Sequence, residues 1–226
     1  GYSVRIYERL PALEPIGFGF NLQPFAVKLL YELGLKCEMD EVGVRTAKAL
    51  FYSRRGQFIF EEAKGIDAGY KWPMYSVHRG NLQQLLTRCV REQIGETSIR
   101  LNHKCIGFRS HSDRVDVDFS DRSSGLVHTD SAKVLIGADG IKSTVRQLLY
   151  PDEGRPLWRG MNIYRGVTKT DQVYLDGRTV ILMGNPNDVE LVIYPVSKNV
   201  INWAYVERID EDKEQVAPEG PDWTDI

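Results

Sequence analysis

Residues 133–150 read KVLIGADGIKSTVRQLLY: an apolar run meets Gly137-Ala138-Asp139-Gly140, and a helix-forming segment follows. Small residues at a strand end let the backbone pass close to another group. Open α/β sheets bind ligands at the carboxyl ends of their strands. Asp139 offers a hydrogen-bond acceptor at such an end. The plainer alternative is a tight turn in which Asp139 caps the helix. Two further residues carry related chemistry. Glu8 closes SVRIYE, an alternating segment that predicts a strand over residues 3–8. A carboxylate at the end of the second strand of a dinucleotide-binding fold accepts from ribose hydroxyls; a solvated strand-end charge is the alternative. Arg79 stands where HRGNLQQLLTRCVREQIG begins as a helix. A cation at a helix start is mildly disfavoured. A phosphate reverses that balance, because it can use both the guanidinium fork and the helix end. The alternative is an arginine pointing into water.

The elements that must position these residues can be read from pattern. QPFAVKLLYELGL predicts a helix with Pro24 in its first turn, an apolar stripe of Phe25, Leu29, Leu30 and Leu33, and Gly34 as its stop. Residues 48–61 read as a hairpin with Gly56 in the turn. Leu82, Leu85, Leu86, Cys89, Val90 and Ile94 form a stripe at helical spacing on the helix that Gly95 ends. Short strands follow near residues 104–108 and 115–119, then a strand over AKVLIGAD and a helix that Ser143 caps and Pro151 ends. After Pro151, MNIYRGVT, TVILMG, VELVIYPV and VINWAYV predict four strands in a meander. Tyr164, Tyr194, Trp203 and Tyr205 lie on them, either walling a pocket or filling the core. Trp72, Met74 and Tyr75 pose the same choice. Arg165 must be edge-exposed or paired, because an unpaired buried guanidinium is costly.

Composition narrows the classes. Hydrophobic residues make up 42% and charged residues 27% of 226 residues, ordinary for a globular protein. The net charge of -2 supplies no basic field for nucleic acid or an anionic membrane. No apolar run reaches the roughly 20 residues of a membrane span. Cys37, Cys89 and Cys105 are scattered, which argues against a disulfide framework or a zinc site and suits a reducing cytosol. His78, His103, His111 and His128 do not cluster at ligand spacing either, so no metal site is expected.

In order along the chain, VRIYER, GFGFNLQPFAVKLLYELGL, YSVHRGNLQQLL, VLIGADGIKSTVR and YRGVT resemble the class A FAD-dependent aromatic hydroxylases. The likeness is to the para-hydroxybenzoate, salicylate and phenazine-1-carboxylate hydroxylase types, and it extends to about INWAYV. It implies FAD as cofactor, NAD(P)H as co-substrate, and O2 and a small aromatic substrate as partners. It implies hydroxylation through a flavin C4a-hydroperoxide, so the cofactor makes the bonds and no catalytic side chain need be visible. It implies that Glu8, with Arg9 beside it, binds the adenosine ribose, and that Arg79 reaches the FAD phosphates. Asp139, followed by Gly140, would hold Arg79 and shape the groove for NAD(P)H. Gln83 would lie near the flavin, and Gly17 and Gly19 would let their loop pass close to its ring.

The expected fold is α/β, with a Rossmann-like FAD-binding layer of the glutathione-reductase type interleaved with a mostly antiparallel substrate sheet. Residues 1–39 and 75–153 are assigned to the first, 40–74 and 154–210 to the second, and 211–226 to a tail. The glycine finger and the late Gly-Asp motif of that family are not in the sequence, so the chain reads as an internal piece of a longer cytoplasmic enzyme, inactive alone. Three other readings stay open: a flavoprotein of different redox chemistry, a nicotinamide-linked dehydrogenase, which the meander disfavours, and a non-catalytic binding module.

Overall fold

The computed structural model describes residues 2–157, 160–185 and 187–209; the tail assigned to 211–226 lies outside them. In chain order the first elements are β1 (Ile6–Tyr7), β2 (Gly19–Leu22), α1 (Pro24–Glu32), α2 (Lys36–Val42) and β3 (Gly43–Thr46). The hairpin β4 (Lys48–Tyr52) and β5 (Phe58–Ala63) comes next, then β6 (Met74–His78) and α3 (Arg79–Ile94). β7 (Ile99–Arg100), β8 (His103–Ser110), β9 (Val115–Asp121), β10 (Val127–Ala132) and α4 (Thr144–Leu149) follow. The last are β11 (Met161–Lys169), β12 (Thr179–Gly184), β13 (Val189–Ser197) and β14 (Val200–Arg208). Among the described residues, 2–13 with 87–157 form one compact unit and 14–86 with 160–209 another.

The first unit is built on the antiparallel sheet β10-β9-β8. Strand β9, VDVDFSD, turns Val115, Val117 and Phe119 inward and Asp116 and Asp118 outward, as the two-residue period of a strand requires. The outward carboxylates are tied to Arg114 and Arg109, and the hydroxyls of Ser131 and Thr129 donate to them. Tyr7, Phe108, Ala132 and Leu135 pack on the inward side. The Tyr7 ring stacks on Phe119 at 3.8 Å, and its hydroxyl donates to Asp130. Burial, then the hydrogen bond to Asp130, pushes the Tyr7 phenol up to about 12. Two expectations change here. The strand over 3–8 is a two-residue ladder, Ile6–Tyr7, parallel to β7. The strand expected to end at Asp139 is not one: the ladder stops at Ala132, and residues 134–140 pair with no strand among the described residues. Val134 and Ile136 are accordingly 72% and 82% exposed. Strand β10 was hidden by its polar sequence, VHTDSA, whose half-buried positions are His128, Asp130 and Ala132.

The second unit holds the sheets β2-β6-β3 and β11-β14-β13-β12-β4-β5. The larger is antiparallel except where β12 runs parallel to β4. Its last four strands are not a plain meander: β11 pairs with β14, a Greek-key order. One face carries Ala49, Val180, Tyr194 and Val196, with Phe51, Leu182 and Val192 against them. The apolar stripe expected on α1 is also revised. Val27 and Pro24 are buried, while Phe25, Leu29 and Leu33 are exposed. The buried side is set by packing on β6, not by the count of large side chains. Met74 and Tyr75 are core residues; Trp72 instead carries the ammonium groups of Lys28 and Lys71 within 5.5 Å of its ring.

Tyr75 is fully buried and ties four elements together. Its hydroxyl meets Tyr31 of α1 at 2.9 Å and donates to Asp40 of α2, while Arg45 of β3 grips the same carboxylate at 2.7 and 2.6 Å. Burial works to raise the Asp40 pKa, but hydrogen bonds from Arg45 and Tyr75 outweigh it, and the group lies below its ordinary value. Removing the Tyr75 hydroxyl leaves these partners short of one hydrogen bond. We expect Tyr75→Phe to cost about 1–3 kcal/mol in urea unfolding at neutral pH. Because the folded pKa of Asp40 is depressed, its contribution is present above the unfolded carboxylate value of about 4 and lost as pH falls through the folded one. The gap between wild type and Tyr75→Phe should therefore narrow below about pH 4.

Candidate functional site

The second unit brings three of the expected residues together. The loop before β2 lays Gly17 against Arg79, the first residue of α3. Gly17 has φ +131°, and a Cβ there would stand 3.4 Å from the Arg79 stem and 3.6 Å from its Nη1. The Arg79 backbone N–H donates to the Phe18 carbonyl at 3.0 Å. Two residues on, the Gly19 N–H donates to Asn202 Oδ1 of β14 at 2.7 Å, and Asn202 is 1% exposed. A Cβ on Gly19 would sit 2.7 Å from both Val196 and Asn202. Both hydrogen bonds fall on the single peptide unit between Phe18 and Gly19, which is held on one side by a helix start and on the other by the large sheet. Gln83 is half-buried one turn along α3.

Arg79 is exposed and donates to no carboxylate among the described residues of its unit. Three other arginines of that unit are engaged: Arg45 by Asp40, Arg178 by Asp67, and Arg54 by Asp188. In the residue before Arg79, His78 Nδ1 is buried with no hydrogen-bond partner among the described residues. Arg165 of the edge strand β11 lies with its guanidinium 5.8 Å from the Phe18 ring centre. The two alternatives for Arg165 thus resolve to an exposed edge position.

The first unit holds the other expected residues. The Glu8 carboxylate accepts from the Leu10 N–H through Oε1 at 2.9 Å, which leaves Oε2 without a partner among the described residues. Arg9 beside it is exposed. Asp139 caps α4: the Ser143 hydroxyl donates to Oδ1, and the N–H groups of Thr144 and Val145 donate to Oδ2 at 2.7 and 3.2 Å. Burial opposes its charge, but these donors prevail and hold the carboxyl below its usual range. Ser143 caps as well, accepting from the Arg146 N–H at 2.9 Å, and Gly140 makes the left-handed turn between them at φ +80°. The plainer reading of Asp139 as a local cap is therefore the contact its carboxylate makes.

Asn202 was not singled out from sequence. Its signal is that it interrupts the apolar strand VINWAYV with an amide, and a buried amide needs a partner.

The FAD binding domain family matches residues 1–225. The chain is 32% identical over 208 residues to phenazine 1,6-dicarboxylic acid hydroxylase PhzS of Lysobacter antibioticus, covering 88% of this chain and 51% of that one. It is 29% identical over 175 residues to 6-hydroxynicotinate 3-monooxygenase of Bordetella bronchiseptica, covering 75% and 43%. Among solved structures, CtdE with FAD and a substrate superposes with a TM-score of 0.76 at 15% identity, over 94% of this chain and 53% of that one. Klebsiella pneumoniae HpxO with FAD and uric acid gives 0.73 at 18% identity, over 92% and 51%. These likenesses carry the fold, and the chain spans about half the length of the relatives it matches.

The seat of the loop can be tested by filling it. Gly19→Ala should overpack against Val196 and Asn202, both buried, and cost about 1–3 kcal/mol in chemical unfolding. A variant as stable as wild type would show that the loop does not rest on the sheet at Gly19.

Proposed function

Because the chain belongs to the FAD binding domain family, we propose that the protein carrying it is an FAD-dependent, NAD(P)H-using monooxygenase that hydroxylates a small aromatic substrate. The observation that carries this reading is the glycine loop 17–19 held against Arg79, whose charge meets no carboxylate among the described residues of its unit. The names of the relatives, hydroxylases and monooxygenases of aromatic acids, support the reaction class.

The residues present fit the cofactor. Arg79 is a cation without a carboxylate partner among the described residues at the start of a 16-residue helix, and His78, the residue before it, has a buried ring nitrogen with no hydrogen-bond partner among them. A phosphate supplies an acceptor for both the guanidinium and the helix end. Glu8 keeps one carboxylate oxygen for a ribose hydroxyl while the other is fixed by Leu10. FAD, when bound, supplies the electron transfer from NAD(P)H and the activation of O2. The chain's own residues bind and orient it. Gly17 and Gly19 bring backbone, not side chains, to the Arg79 corner, so a flat ring can approach. Asn202 fixes that backbone through the Gly19 N–H. Gln83 lies one turn beyond Arg79, within the same helix. Asp139 orders the start of α4. We assign residues 1–39 and 75–153 to the cofactor layer and 40–74 and 154–210 to the substrate layer, in the cytoplasm.

The test uses the full-length protein. It should purify with FAD, oxidise NAD(P)H faster when an aromatic substrate is present, and place one oxygen of labelled O2 in the product. Arg79→Ala removes a charge-assisted contact and should weaken FAD binding by about 1.5–3 kcal/mol, which is roughly 10- to 150-fold in Kd. A full-length protein with no flavin and no NAD(P)H oxidation overturns the reading. Unchanged FAD affinity in Arg79→Ala overturns the role of Arg79.

A further inference from the structure

We propose that the outer face of the six-stranded sheet is an interface, and that a second copy of this protein covers it. The inference does not depend on the monooxygenase reading. Cross-strand register lays two rows of side chains over β4, β12, β13, β14 and β11 in that order. One row runs Leu50, Ile181, Ile193, Trp203, Gly166; the next runs Tyr52, Met183, Leu191, Tyr205, Tyr164. Side chains directly opposite share a face. These rows alternate along the strands with Ala49, Val180 and Tyr194, which make the buried face. The outer rows are only half-buried, and Tyr164 is 53% exposed. The Trp203 ring lies across Gly166, where a Cβ would stand 2.6 Å from it, so the face stays level at that edge. An antiparallel sheet with one wet face alternates apolar and polar residues along each strand. VILM of β12 and LVIYPV of β13 do not; they send apolar side chains to both faces.

A second copy fits this face in charge, chemistry and size. In a two-fold dimer the same patch meets itself, so a charge near its centre faces its like. Neither row carries a charged side chain. Charges stand at the border instead: Lys48 and Glu61, which pair with each other at 3.0 Å, and Glu207 one row beyond Tyr205. The rows also keep polar tips. The hydroxyls of Tyr52, Tyr164 and Tyr205 and the Trp203 indole N–H make no hydrogen bond among the described residues. Burial for good inside one chain leaves such groups short of partners and favours plain aliphatic side chains. A face that is wet before association and dry after it suits tyrosine and tryptophan, which are enriched at the centres of subunit interfaces. The size is also sufficient. β11, β13 and β14 are nine residues long, about 30 Å each, and five strands side by side span about 20 Å. That is about 600 Å² in projection, and more with side-chain relief, against the roughly 800 Å² that each partner of a stable complex buries.

The test is sedimentation equilibrium on the full-length protein over a series of concentrations up to the micromolar range. It should show a dimer. Tyr164→Glu puts a like charge into both copies of the patch and should weaken self-association roughly 10-fold or more, while the far-ultraviolet circular dichroism spectrum stays as in wild type. Tyr52→Glu, at the other end of the same row, should do the same and guards against a Tyr164 variant that fails to fold. Phe25→Glu alters an exposed apolar residue of α1, away from the sheet face, and should leave the dimer as it is. A full-length protein that stays monomeric overturns the proposal, and means that another part of the polypeptide or a different partner covers the face. A dimer that keeps its strength in folded Tyr164→Glu and Tyr52→Glu, or that Phe25→Glu weakens as much, overturns it as well.

Discussion

The hydrogen bond from the Gly19 N–H to the Asn202 side chain is the constraint on which the second unit's candidate site depends. Residues 14–18 form no ladder, so their exit is set by what holds the peptide unit between Phe18 and Gly19. On one side the Phe18 carbonyl accepts from the first residue of α3. On the other, a buried amide of the large sheet takes the Gly19 N–H, the first of β2. Space demands glycine at 19, where a Cβ would stand 2.7 Å from Val196 and Asn202, and the left-handed backbone at φ +131° favours it at 17. An amide inside an apolar strand is unfavourable on its own. It is retained here because it converts a flexible loop into a fixed surface beside Arg79.

Charge is distributed unevenly about that surface. In the first unit, outward carboxylates of β9 are answered strand by strand with arginines and hydroxyls. Such exposed pairs contribute little to stability, but they give the arginines beside β9 anions of their own. Around the glycine loop the pattern is reversed. Arg79 approaches from the helix and Arg165 from the sheet, and neither meets a carboxylate among the described residues of its unit. Nearby arginines that do meet one, such as Arg45, serve the packing of β3 on α2. The unit thus separates cations that hold the fold from cations available to a ligand.

Much of this was legible in sequence where local chemistry decides it. The hairpin with Gly56, the long helix from Arg79 and the Ser143 cap follow from turn and cap residues acting over a few positions. What failed depended on partners far along the chain. AKVLIGAD has every property of a strand, but a strand needs a neighbour, and none pairs with 134–140 among the described residues. VHTDSA looks like a loop, yet β9 offers it an edge and β10 forms. On α1 the larger apolar residues point outward because β6 meets the opposite side. At the site, Arg79 and the two glycines stood out through resemblance, whereas Asn202 and Phe18 acquire their roles only through contacts between β14, the loop and β11.

The geometry of Asp139 refines what such a residue can do. A carboxylate has room for about four hydrogen bonds. Asp139 already accepts three, from Ser143, Thr144 and Val145. Its negative charge is largely spent on ordering the first turn of α4, a place where anions are favoured. Any cation or ligand it serves must use the one direction left, or must be served through the backbone that the cap holds in place. Glu8 differs in this respect, because a single backbone N–H occupies one of its oxygens and leaves the other open. Two acids that look alike in sequence, each ending an apolar run, are therefore unequal in capacity. Of the two, Glu8 is the carboxylate with more room for a polar ligand, and Asp139 is the one that shapes the chain around it.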